Sequence, residues 1–189
     1  MLSLQYKSSL SKNMKTKFQL TAVLILVSAC IIFAGCSAKH MAKGKKTVAS
    51  PRDSVSRTIN GATITINYGS PAVKGRKIWG GLVPYDTVWR TGANEATRFT
   101  TDKDIMVEGK NLPAGTYGFF AIPGHTTWTI IFNSVAKQWG AFKYDASKDV
   151  LRVTVTPIAS GNNERLVYKI NKNGFSLKWE QLEVPVSIK

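Results

Sequence analysis

Residues 54–68 read SVSRTINGATITINY. Ser54–Ile59 alternates polar with apolar side chains, and Ala62–Tyr68 alternates again. Successive side chains of a strand point to opposite faces, so period two marks a half-buried strand. Between the two runs stands Asn60-Gly61. The tight turn that matches strand twist needs φ > 0 at both central positions, and Asn-Gly is the pair that tolerates it best. The stretch predicts a β-hairpin.

Moving outward, the same alternation predicts strands over residues 96–101, 104–107, 116–122, 128–133, 150–156, 165–170 and 175–179, with a last one over 183–188. Turn chemistry separates them at Glu108-Gly109-Lys110, Pro113-Ala114-Gly115, Pro123-Gly124 and Asn173-Gly174. No window carries a sustained i, i+3, i+4, i+7 apolar stripe, and only a single helical turn is expected, around Ser134–Gln138. Many short, evenly spaced strands predict an all-β domain over residues 51–189, a single antiparallel β-sandwich or jelly-roll-like barrel.

The N-terminal part differs. Residues 18–35 (FQLTAVLILVSACIIFAG) carry no charge and follow Lys15 and Lys17. A basic segment before an apolar run is the layout of a secretory signal. It ends in Phe33-Ala34-Gly35-Cys36, which looks like a bacterial lipobox with Phe33 where Leu is usual. Residues 1–35 are therefore expected to be a cleaved signal, with Met14 as an alternative start, and Cys36 to be the lipidated first residue of the mature chain. An uncleaved anchor is the competing reading. Cleavage would remove four lysines and no acid, so the formal charge falls from +15 to +11. It would also remove Cys30, leaving Cys36 without an internal disulfide partner. Residues 36–50 are small, polar and basic, as expected of a flexible tether. Their lysines would add attraction of about 1 kcal/mol each beside anionic lipid.

Residues 69–94 interrupt the strand rhythm with glycines, two prolines and two tryptophans. Long connections inside compact domains are usually functional or disordered, and Ile78, Trp79, Leu82, Val83, Val88 and Trp89 argue against disorder. Around this segment gather Arg76, Lys77, Trp79, Trp89, Arg90, Asn94 and Glu95, the candidate ligand-binding residues. Arg and Asn supply directional donors, Glu an acceptor, and Trp a flat face for a sugar ring. An architectural reading stands beside this one: Arg90 paired with Glu95, Asn94 bonded to turn backbone, and the tryptophans in the core. Trp139-Gly140 is a candidate border of the same cleft, and Trp179 is expected in the core.

Other chemistries find little. Only His40 and His125 remain after the signal, too few for a zinc site, and no metal or cofactor is expected. There is no Gly-x-Ser-x-Gly elbow and no phosphate-binding Gly-Lys-Ser/Thr loop. Two-carboxylate glycan hydrolysis would use Glu95 as acid or base, with Asp86 the nearest second acid. The basic residues are scattered rather than blocked, so no nucleic acid is expected as a partner.

Several segments resemble one bacterial family: Tyr68-Gly69-Ser70-Pro71, residues 74–85 (KGRKIWGGLVPY), residues 89–97 (WRTGANEAT), residues 112–117 (LPAGTY), residues 128–133 (WTIIFN) and Gln138-Trp139-Gly140. The resemblance is to "domain of unknown function 2911" and runs from about Ser50 to Lys189. It implies a secreted β domain, usually behind a secretory or lipoprotein signal in Bacteroidetes-type bacteria, and no assigned reaction. Together the sequence leads to the expectation of a lipid-anchored envelope protein, periplasm-facing rather than on the cell surface because the stretch after Cys36 is basic. Its domain would bind a polar ligand, such as a glycan or peptidoglycan fragment, or a partner protein. The alternatives are a glycan-directed hydrolase and a purely structural domain.

Overall fold

The computed structural model describes residues 49–189, so the readings of residues 1–35, of Cys36 and of most of the tether lie outside the described residues. Its regular elements are strands, apart from one 3₁₀ turn. The first hairpin is β1 (Arg52–Ile59) and β2 (Ala62–Gly69), paired in register from Arg52 opposite Gly69 to Ile59 opposite Ala62. Its turn has φ 50° at Asn60 and 81° at Gly61, the conformation that the dipeptide predicts.

The strands β3 (Thr97–Thr101), β6 (Gly115–Pro123), β7 (Trp128–Asn133) and β8 (Asp149–Val155) complete an antiparallel sheet ordered β1-β2-β3-β6-β7-β8. Between β3 and β6 lies a small hairpin of β4 (Ile105–Val107) and β5 (Lys110–Leu112). The chain ends in a long hairpin of β9 (Ile158–Asn171) and β10 (Gly174–Ser187). The large sheet keeps β1 and β8 as edges and does not close, so of the two expected architectures the sandwich is the one formed, not the barrel.

Alternation decides which face is covered. Ile64, Ile66 and Tyr68 of β2, Phe99 of β3, Phe119 and Ala121 of β6, and Ile130 and Phe132 of β7 all point to one side. The β9–β10 hairpin covers that side with Leu166, Tyr168, Phe175, Leu177 and Trp179. Ring centroids of Phe99 and Phe132 are 5.0 Å apart, and those of Phe119 and Phe175 are 5.5 Å apart. Each such side chain contributes on the order of 1.5–3 kcal/mol by leaving water. On the opposite face a smaller cluster of Ala96, Phe120 and Ile131 is packed by Val88, Ala141 and Tyr144, beneath the connection from β7 to β8.

Two local expectations are corrected. The helical turn around Ser134–Gln138 does not form. Buried Asn133 takes the Val135 N–H on its Oδ1 (2.9 Å) and donates Nδ2 to the Asp145 carbonyl and to Asp149, which holds the chain in an irregular loop. A 3₁₀ turn appears later, at Ala146–Lys148, where the Asp145 side chain accepts from Ser147 N–H. The two last expected strands are one, β10, bent by irregular register around Glu180, whose φ is 54°. No described helix is long and apolar enough to cross a membrane.

Candidate functional site

The segment between β2 and β3 is tied to the sheet at several residues, and Thr91 carries its buried side-chain tie. Thr91 is buried and has φ 51°, a left-handed conformation costly for a β-branched residue. Its Oγ1 donates to the Phe119 carbonyl at 2.9 Å, and its own carbonyl accepts from Tyr168 Oη (2.8 Å) and Thr97 Oγ1 (3.1 Å). Burial drives the Tyr168 phenol far above its ordinary pKa, so it stays a donor. Lys74, Asp86 and Asn94 in the same segment also have positive φ. Strain concentrated in one segment and held by buried hydrogen bonds is a pattern found at binding sites.

The candidate residues divide between two cavities. Arg76, Trp89, Arg90 and Asn94 line one of about 320 Å³, joined by Trp179 from β10. Glu95, adjacent to Asn94, lines another of about 370 Å³, with Ala96, Arg98, Lys137, Gln138 and Trp139. Lys77 and Trp79 line neither. Lys77 is exposed and its carbonyl accepts from Leu82 N–H. Trp79 is buried in a cluster with Trp89, Trp128 and Trp179, its centroid 4.9 Å from that of Trp128.

The first cavity borders the main core. Trp89 and Trp179 stack with centroids 6.0 Å apart. Trp89 exchanges backbone hydrogen bonds with Ala121, which fixes it on β6. Arg76 donates Nε to the Val73 carbonyl (3.0 Å) and a terminal N–H to Ala72, so its guanidinium is held in place. Arg90 differs from the expected arrangement. No carboxylate lies within 4 Å of it among the described residues, and its buried Nε has no hydrogen-bond partner. Burial lowers its pKa from the ordinary value.

The second cavity lies over the outer face, shown by Ala96 and Arg98, which alternate with the inward Thr97 and Phe99. Glu95 pairs not with Arg90 but with Arg52, at 3.2 Å, and its side chain is 56% exposed. Trp139 forms a backbone bridge with Glu95 and its side chain stands in solvent, the residue being 63% exposed. Gln138 has a buried Oε1 with no partner and donates Nε2 to the Val135 carbonyl. An exposed indole flanked by acid, amide and cationic side chains can stack on a sugar ring and hydrogen-bond its hydroxyls. Glu95 is the one acid among the described residues lining this cavity.

Asn94 donates Nδ2 to the Ser50 carbonyl at 3.4 Å, backbone ahead of β1 rather than of its own turn. His125 is exposed and packs against the Tyr85 ring, 4.1 Å between centroids. Among the described residues no three His, Cys, Asp or Glu side chains gather as for a metal. Sequence reasoning missed Arg52, Arg98 and Trp179 as site neighbours. All three come from strands, where alternation reports burial and not which loop lies alongside. For Trp139 there was a signal: a tryptophan within a polar, strand-free stretch.

The fold defines an antiparallel β-sandwich domain with an irregular tryptophan-rich segment pinned to its main sheet. The chain belongs to the family described as "Protein of unknown function (DUF2911)", whose family model matches residues 50–188. No curated protein and no solved structure matches it.

Proposed function

We propose that this chain is a lipid-anchored protein of the bacterial cell envelope, facing the periplasm, whose sandwich domain binds a polar ligand of the glycan class at the Glu95–Trp139 cavity. The observation that carries the binding reading is the exposed Trp139 ring beside Glu95, Arg98, Lys137 and Gln138. A large aromatic ring in solvent offers apolar surface that a ligand gains free energy by covering. The anchor rests on the apolar run of residues 18–35 before Cys36, and the orientation on the lysines that follow. Hydrolysis through Glu95 lacks support from a second carboxylate in the same wall, which two-carboxylate chemistry requires.

Two experiments test this. Calorimetric titration of the full chain with uncharged N-acetylglucosamine oligomers should give saturable heat that Trp139→Ala abolishes while its melting temperature stays at the wild-type value. Absence of binding to any envelope glycan defeats the ligand reading. Metabolic labelling with a fatty-acid analogue should mark the wild-type chain and not Cys36→Ser.

A further inference from the structure

The cavity between the irregular segment and the main core has a composition that the glycan reading does not use. It holds two guanidinium groups, Arg76 and Arg90, and the Asn94 amide. None of the described residues lining it is acidic. Trp179, only 1% exposed, forms part of its wall, and its indole N–H has no acceptor; the buried Nε of Arg90 has none either. A buried donor without a partner costs about 1–3 kcal/mol, more when charged, so such groups are normally satisfied. Here two occur on residues of one cavity wall. Arg76 is pre-aligned by its bonds to Ala72 and Val73, which lowers the cost of ordering it around a ligand.

We propose that this cavity is a second site, separate from the Glu95–Trp139 cavity, and takes the carboxylate or phosphate group of an organic anion. Ionised oxygens are acceptors only, which matches a wall of donors, and planar guanidinium groups fit both oxyanions in bidentate fashion. At about 320 Å³ the cavity exceeds a bare ion, and the Trp89 and Trp179 rings with Leu82 and Val83 offer an apolar surface to the body of the ligand. The three hydrogen bonds of the strained Thr91 fix the backbone next to Arg90. The inference stands independently of the glycan reading.

The test is titration of the wild-type and Trp139→Ala full chains with inorganic phosphate, glucose 1-phosphate and N-acetylmuramic acid, with N-acetylglucosamine as the neutral control in the variant, where the first site is removed. Calorimetric heat and tryptophan fluorescence are the readouts, because two tryptophans line the cavity. At least one anion should bind, more weakly as salt rises. Arg76→Gln and Arg90→Gln should each weaken it about tenfold or more, as expected for loss of one charge-assisted bond. Preference for the phosphates or for the carboxylated sugar identifies the natural group. Trp139→Ala should leave anion binding intact, so failure of one site is distinguishable from failure of the other. If Arg90→Gln does not fold, the exposed Arg76 decides. No anion binding to the folded wild-type chain overturns the proposal, as does unchanged affinity in the arginine variants.

Discussion

The Tyr168 hydroxyl, carried on β9, donates to the carbonyl of Thr91 at 2.8 Å, across 77 residues of sequence. That bond joins the covering hairpin to the irregular segment at the residue preceded by Arg90. The same carbonyl also accepts from Thr97, so losing the tyrosine hydroxyl weakens the tie without leaving the carbonyl unpaired. Tyr168→Phe should cost about 1 kcal/mol. For a domain of this size the melting temperature falls by roughly 3–4 °C. Calorimetry checks the value, and faster amide exchange around residues 90–97 checks the location.

Glu95→Gln should hardly change stability. Its partner Arg52 and Glu95 itself are both substantially exposed, and such pairs contribute about 0–1 kcal/mol. A thermal melt within about 3 °C of wild type is expected. A loss as large as that of a broken buried pair, about 3–5 kcal/mol, would mean that Glu95 is architecture.

Gly69→Ala should be far more damaging. A Cβ there would overlap the Ala93 carbonyl, backbone that cannot swing away as a flexible side chain would. The close approach is reinforced by the hydrogen bond from Ala93 N–H to the Gly69 carbonyl. Overpacking of this kind costs roughly 3 kcal/mol. Circular dichroism melts of the variant, with Gly161→Ala as a control where a Cβ meets nothing and φ is not positive, read the difference.

Asn133→Ala removes the buried amide that organises the β7–β8 connection. The Asp145 carbonyl, Asp149 and the Val135 N–H each lose a partner. A cost of about 2–3 kcal/mol follows. Because Trp139 sits on this connection, glycan affinity should fall together with stability, whereas anion binding at Arg76 and Arg90 should persist below the lowered melting temperature.

Alkaline pH should destabilise the domain through its tyrosines. Burial, with Asp53 accepting from its hydroxyl, pushes the Tyr68 phenol to about 12, and burial beside Asp149 takes Tyr144 to about 12. Folded-state values above the unfolded value of about 10 mean that the folded chain holds these protons more tightly. The resulting stability is complete below pH of about 10 and is lost as pH rises through about 12. Denaturant melts at stepped pH should show this fall, reduced in Tyr68→Phe.

Alternation and Asn60-Gly61 were enough to predict the first hairpin and most strands of the main sheet. Period two reports burial directly, because one face of a strand meets the core. The first half of β9 was not legible, since residues 158–165 are largely exposed and carry no alternation. The sequence also marked residues 69–97 as special, through residue types that ordinary loops do not need, yet it left ligand site and architecture open. Tertiary packing divided that cluster. It placed Trp79 in an indole cluster, gave Glu95 to Arg52, left Arg90 without an acid, and brought Trp179 from β10 to the same wall. Local chemistry determines whether a residue sits in a strand or a turn. Which side chains meet across an irregular segment depends on contacts between residues as distant as Thr91 and Tyr168, and no local pattern encodes those.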